Sequence, residues 1–90
     1  MSHTIRQKDR LIARVRRIKG QLEGIERALG EQAACAEILR QLASARGALN
    51  GLTAELIEDH LLEHVLDVAS EAERRAGARE LIDVVRAYGK

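Results

Sequence analysis

CAEILRQLASARGALNGLTAELIEDHLLEH, residues 35–64, decides the fold. Within it Ile38, Leu42, Ala45, Leu49, Leu52 and Leu56 recur at spacings of four, three, four, three and four, the heptad rhythm of a helix packed lengthwise against another helix. Cys35 lies three residues before Ile38 and His60 four after Leu56, so both extend this apolar seam, and His64 follows His60 by one turn. At about 1.5 Å of rise per residue, Cys35 and His60 stand roughly 37 Å apart along one helix. A single chain therefore does not bring them to one ligand. Two copies paired antiparallel through the seam would set Cys35 of one beside His60 and His64 of the other, crossing near Gly47, Ala48 and Gly51, where small residues let the backbones approach. The pattern predicts a homodimer with two equivalent Cys/His sites.

Ninety residues make one domain, expected over residues 1–90, and so small a chain built of long helices buries too little surface to stand comfortably alone. The absence of Pro, Phe and Trp, with one Tyr and an abundance of Ala, Leu, Arg and Glu, favours helix and disfavours sheet. A single Cys cannot form an intrachain disulfide, which fits a reducing compartment and leaves the thiol available for metal or electrophile chemistry. The polar start MSHTIRQKDR reads as neither signal peptide nor membrane span. The expected location is the cytoplasm.

The formal net charge is only +1, but it is unevenly placed: from Met1 to Lys19 the chain carries +6, and the remainder −5. A basic first helix on an acidic body is the asymmetry of a protein that lays one face on a polyanion. That helix is expected from near Ile5, with Thr4 as N-cap, to about Leu29, where Gly30 stops it. Its apolar positions Leu11, Val15, Ile18, Leu22, Ile25 and Leu29 keep the same rhythm. Arg10, Arg14 and Arg17 form a basic stripe, with Arg16 and Lys19 on a neighbouring face. Charged helix faces are ordinarily just solvated, but such a face usually mixes both signs for i,i+4 pairing, and acids are nearly absent from this one, Asp9 apart. After a connector, Gly30 to about Ala33, the second helix is expected to run to about Ala69. The stretch Ser70 to Gly77 reads as a turn or frayed end, followed by a third helix from about Ala78 to Tyr88 that offers Leu81, Ile82, Val84 and Val85 for packing. The first two helices are expected to form an antiparallel hairpin.

His60-x-x-x-His64 places two imidazoles a turn apart on one helix, a spacing suited to chelating one metal ion. Such pairs also occur on solvated helices, and a lone cysteine is more often a small buried residue. The antiparallel pairing joins them into one reading, to which His3 adds a third imidazole beside a terminal amine. No phosphate loop, nucleophile elbow or fold large enough for a substrate pocket is evident, so a binding or sensing module is expected and an enzyme is not.

At these residues the chain resembles, over its whole length, the small all-helical bacterial repressors of the CsoR/RcnR family, which has copper-, nickel/cobalt- and formaldehyde-sensing branches. Ser2-His3-Thr4-Ile5-Arg6, together with Cys35, His60 and His64, resembles the nickel/cobalt branch. Arg14-Val15-Arg16-Arg17-Ile18, Arg46-Gly47-Ala48, Asn50-Gly51-Leu52 and Val85-Arg86-Ala87-Tyr88 are shared more widely and lean towards the formaldehyde branch. The resemblance implies an all-α, three-helix subunit, antiparallel helices forming a dimeric four-helix bundle, and a dimer of dimers that binds operator DNA until a ligand releases it. It implies DNA contacts at Arg14, Arg17 and Arg46, with Arg10, Arg16 and Lys19 added on charge alone. It also implies a ligand set of the Ser2 amine, His3, His60 and His64 with Cys35 of the partner. Copper sensors carry a second Cys where His64 stands, and soft Cu(I) favours such thiolates. The formaldehyde branch carries Pro at position 2 and a carboxylate at position 64, where this chain has Ser2 and His64. The expectation is a homotetrameric repressor released by Ni(II) or Co(II), with Zn(II) a further possible ion. The alternatives are a formaldehyde-responsive repressor using Cys35 and the N-terminal amine, and a metal-storage or chaperone bundle without DNA, against which the basic helix argues.

Overall fold

In the computed structural model the described residues are 7–88, and three helices account for most of them: α1 (Lys8–Gly30), α2 (Cys35–Leu61) and α3 (Glu71–Tyr88), with a π-helical turn, Leu62–Leu66, prolonging α2. No strand occurs among the described residues, and none of these helices is long and apolar enough to cross a membrane. The expected helix start at Ile5 and its Thr4 cap lie outside the described residues. The chain divides into two compact units, Gln7–Thr53 and, among the described residues, 54–88.

In the first unit α1 turns back onto the N-terminal half of α2. Gly30 does not stop α1; it is the last helical residue, and the left-handed residue that reverses the chain is Gln32, at φ 58°. The Ala33 amide donates to the Ala28 carbonyl at 2.9 Å and the Gln32 amide to the Leu29 carbonyl at 3.2 Å, the paired bonds of a Schellman ending. The Ala34 carbonyl then accepts from the amides of Glu37 and Ile38 at 2.9 and 3.2 Å and opens α2. Across the hairpin Gln21 Nε2 donates to Ser44 Oγ at 3.3 Å. A Cβ added to Gly24 would stand 3.9 Å from Gln41 Oε1, and one added to Gly51 would stand 3.0 Å from Arg14 Nη2. All three pairs are symmetric about the Gln32–Ala33 turn, as an antiparallel register requires.

The heptad seam divides into two columns. On α1, Leu11, Ile18 and Ile25 are 7, 6 and 7 % exposed, whereas Val15, Leu22 and Leu29 are 50, 49 and 59 % exposed. On α2, Ala45 is buried and Ile38 and Leu52 are half-buried, but Leu42, Leu49 and Leu56 are exposed. One column of α1 is used within the chain, where burying a Leu or Ile contributes about 1.5–3 kcal/mol; the other stays open. Among the described residues Leu11, Ile18, Ile25, Ala28 and Ala45 are the buried hydrophobic ones. Between α1 and α2 lies an open notch of about 230 Å³ lined by Gln21, Gly24, Gln41 and Ser44, where Gln21 Oε1 is buried without a hydrogen-bond partner.

In the second unit α2 ends in the π-turn, closed by the Asp67 amide donating to the Leu62 carbonyl at 2.9 Å, so the helical run stops at Leu66 rather than near Ala69. Ser70 to Gly77 is not a frayed end: α3 begins at Glu71. Ser70 Oγ accepts from the Glu73 amide at 3.1 Å, and Ser70-Glu-Ala-Glu73 is the capping-box spacing whose Ser cap contributes about 1 kcal/mol. Arg74 ties this start to the end of the π-turn, donating to the Val65 and Val68 carbonyls at 3.2 and 3.5 Å while pairing with Glu71 at 2.9 Å. Of the apolar residues expected to pack α3, only Leu81 is half-buried; Ile82, Val84 and Val85 are exposed.

Candidate functional site

His60 lies in the last turn of α2 and His64 sits inside the π-turn. Their ring centroids are 4.7 Å apart with planes inclined by 42°. Both therefore point to one patch. His60 is half-buried and His64 is exposed. His60 Nε2 lies 3.0 Å from the Gly77 carbonyl oxygen and 3.9 Å from Glu80 Oε1. A carbonyl oxygen only accepts, so Nε2 carries the proton of this bond, and in the neutral ring Nδ1 holds the free lone pair. His64 Nε2 lies 3.6 Å from Glu63 Oε1. Next to His60, Asp59 is 5 % exposed and its Oδ2 has no hydrogen-bond partner.

Gly77 explains the closeness of α3 to this turn. A Cβ there would overlap the His64 carbonyl oxygen and stand 2.7 Å from the His64 carbonyl carbon and 2.9 Å from its Cβ. Glycine inside a helix costs about 1 kcal/mol relative to alanine, and here that cost is offset by an approach no other residue permits. Ser70 and Gly77, expected from sequence to bound a turn or frayed end, are instead the cap of α3 and its point of closest approach to the π-turn. The Ser-x-x-Glu spacing was a readable signal for Ser70; nothing local marks Gly77, because its role lies in what packs against it.

With metal–nitrogen distances of about 2.0–2.1 Å, two imidazoles in neighbouring positions on one ion have centroids roughly 4.5 Å apart, close to the observed separation. The centroid separation of the pair matches two neighbouring ligand positions. Among the described residues no three His, Cys, Asp or Glu side chains of one chain converge in such a group. Cys35 is exposed in the first turn of α2, and Ser2 and His3 lie outside the described residues.

The basic residues are displayed unequally. Arg10, Arg16, Arg17, Lys19 and Arg46 are exposed, whereas Arg14 is half-buried and its guanidinium lies over Gly51. Arg10 also holds Gln7, with Nη2 donating to Oε1 at 2.7 Å.

The chain is helical, with a paired-imidazole turn at the end of its second helix and a basic first helix. Residues 7–87 match the profile of the metal-sensitive transcriptional repressors, and the chain belongs to that family, one of repressors and not of enzymes. It is 46 % identical over its full length to a full-length uncharacterised protein encoded in the bioA 5′ region of Serratia marcescens. It is 42 % identical, again with both chains fully covered, to the transcriptional repressor RcnR of Salmonella paratyphi B. Among solved structures it is similar to a variant of the formaldehyde-responsive regulator FrmR of Salmonella enterica serovar Typhimurium in which histidine replaces a glutamate. The TM-score is 0.86 and the identity 42 %, covering 96 % of this chain and 98 % of that one. It is also similar to the copper-sensing repressor CsoR with Cu(I) of Geobacillus thermodenitrificans, with a TM-score of 0.90 and 27 % identity over 100 % of this chain and 94 % of that one.

Proposed function

We propose that this protein represses transcription by binding operator DNA and is released by Ni(II) or Co(II). The observation that carries the reading is the His60–His64 pair, spaced for one ion, in a chain of a metal-sensitive repressor family. The ligand set is Cys35 of one subunit with His60, His64, His3 and the Ser2 amine of another. Mixed nitrogen and sulfur donors of that number suit a six-coordinate late transition metal, whereas Zn(II) would use only four. The bound ion supplies the free energy of release, which requires that it favour the DNA-free state.

The open columns Val15, Leu22, Leu29 and Leu42, Leu49 support pairing with a second copy, because exposed apolar residues in this order are the seam of a helix bundle. Two such dimers assemble as a tetramer. We take residues 1–90 as one DNA-binding, sensing domain acting in the cytoplasm. Arg17, Arg46, Arg10, Arg16 and Lys19 meet phosphates directly, and Arg14 does so from its half-buried position.

The similarity to a formaldehyde-responsive regulator favours one second reading. The Ser2 amine would add to formaldehyde, and the Cys35 thiol would displace the hydroxyl as water to leave an N–CH2–S bridge. No electron is transferred. Titrating operator binding with Ni(II), Co(II), Zn(II), Cu(I) and formaldehyde separates the readings: release by Ni(II) or Co(II) supports the first, and release by formaldehyde alone replaces it with the second.

A further inference from the structure

We propose that Gly77 is a positioning residue of the sensing site: its carbonyl holds His60 as the Nε2–H tautomer and thereby presents Nδ1 to the ligand. Two independent observations carry this. The Nε2-to-carbonyl distance is 3.0 Å, and Gly77 approaches the His64 backbone so closely that an added Cβ would overlap the His64 carbonyl oxygen. One residue of α3 therefore touches both histidines, one through its carbonyl and the other through the absence of a side chain. Glu80, one turn further along α3, is 3.9 Å from the same nitrogen, so both acceptors surrounding Nε2 favour a proton there. Among the described residues none is hydrogen-bonded to Nδ1. A ligating histidine whose second nitrogen donates to a backbone carbonyl is fixed in both tautomer and ring orientation. α3 acts on the metal through His60 without supplying a ligand atom of its own.

The inference rests on the proposed metal reading for its purpose, but its geometry is tested without metal. Long-range 1H–15N correlation spectra of the full-length, metal-free protein report which nitrogen of His60 is protonated. The expected result is protonation at Nε2 in the wild type; protonation at Nδ1 overturns the proposal. In Gly77→Ala, α3 has to withdraw, the expected spectrum shows a mixture of His60 tautomers, and Ni(II) affinity falls by about 10–100-fold. Wild-type tautomer and affinity in a folded Gly77→Ala protein would overturn it as well. Should that variant fail to fold, the wild-type spectrum alone decides. A wild type that shows Nε2–H yet binds neither Ni(II) nor Co(II) refutes the metal reading and leaves the Gly77–His60 relation standing.

Discussion

The imidazoles of His60 and His64 lie 4.7 Å apart, centroid to centroid, although the helix that carries them changes from α to π between the two. A π-turn widens the helix by one residue per turn and is frequent at functional sites. Here it places His64 beside Gly77 of α3, while Arg74 of the same helix caps the carbonyls at its end. The two proposed ligand histidines are thus held by backbone contacts from a helix that has no ligand among the proposed set.

Local stability should respond in opposite directions at two chain reversals. Ser70→Ala removes the oxygen that accepts the Glu73 amide and should cost about 1 kcal/mol. Gln32→Gly relieves a left-handed residue at φ 58° and should stabilise by up to about 1 kcal/mol. Urea denaturation of both variants against wild type, at one protein concentration, checks the pair. The same sign of change in both would contradict the two assignments.

Much of this fold could be read from periodicity, and the exceptions share a cause. The four-three spacing from Leu11 to Leu29 and from Ile38 to Leu56 identifies two helices that pack along their length. It does not say which residues pack within the chain: Ile18 and Leu22 belong to the same rhythm, yet one is buried and the other is exposed. A heptad specifies a seam, and the partner on the far side is not encoded in the spacing. His60 and His64 are legible through their i,i+4 placement, whereas the π-turn that contains His64 and the Gly77 contact are not, because both arise from tertiary approach. Ser70 reads from sequence as part of a loop despite its capping-box spacing, since the residues that follow it are polar, yet it caps α3.

The open columns lead to a prediction about assembly. Leu22→Lys and Leu49→Lys put charges at positions 49 and 45 % exposed in one chain, which the proposed dimer would bury. Sedimentation at micromolar concentration should show a dimer or larger for wild type and dissociation in the double variant. A monomeric wild type would remove the basis for a site shared between subunits.

DNA binding should separate the arginines by their burial. Phosphate contacts release counterions, so Arg17→Ala and Arg46→Ala should each weaken operator binding and reduce the salt slope by about one. Arg14→Ala should weaken binding and also lower thermal stability, because its guanidinium packs over Gly51. Unchanged affinity and slope in all three variants would contradict the proposed surface.

His64 is where the two signals part, because Cys35 is required by both. The decisive measurement is release of operator DNA by Ni(II), Co(II) and formaldehyde in wild type and in His64→Ala, followed by fluorescence anisotropy at fixed ionic strength. In the metal reading His64 contributes a neutral imidazole to the ion, so the variant should bind DNA like wild type and lose most of its response to Ni(II) and Co(II). A wild-type metal response in His64→Ala, together with intact release by formaldehyde, would contradict the assignment of this protein as a metal sensor.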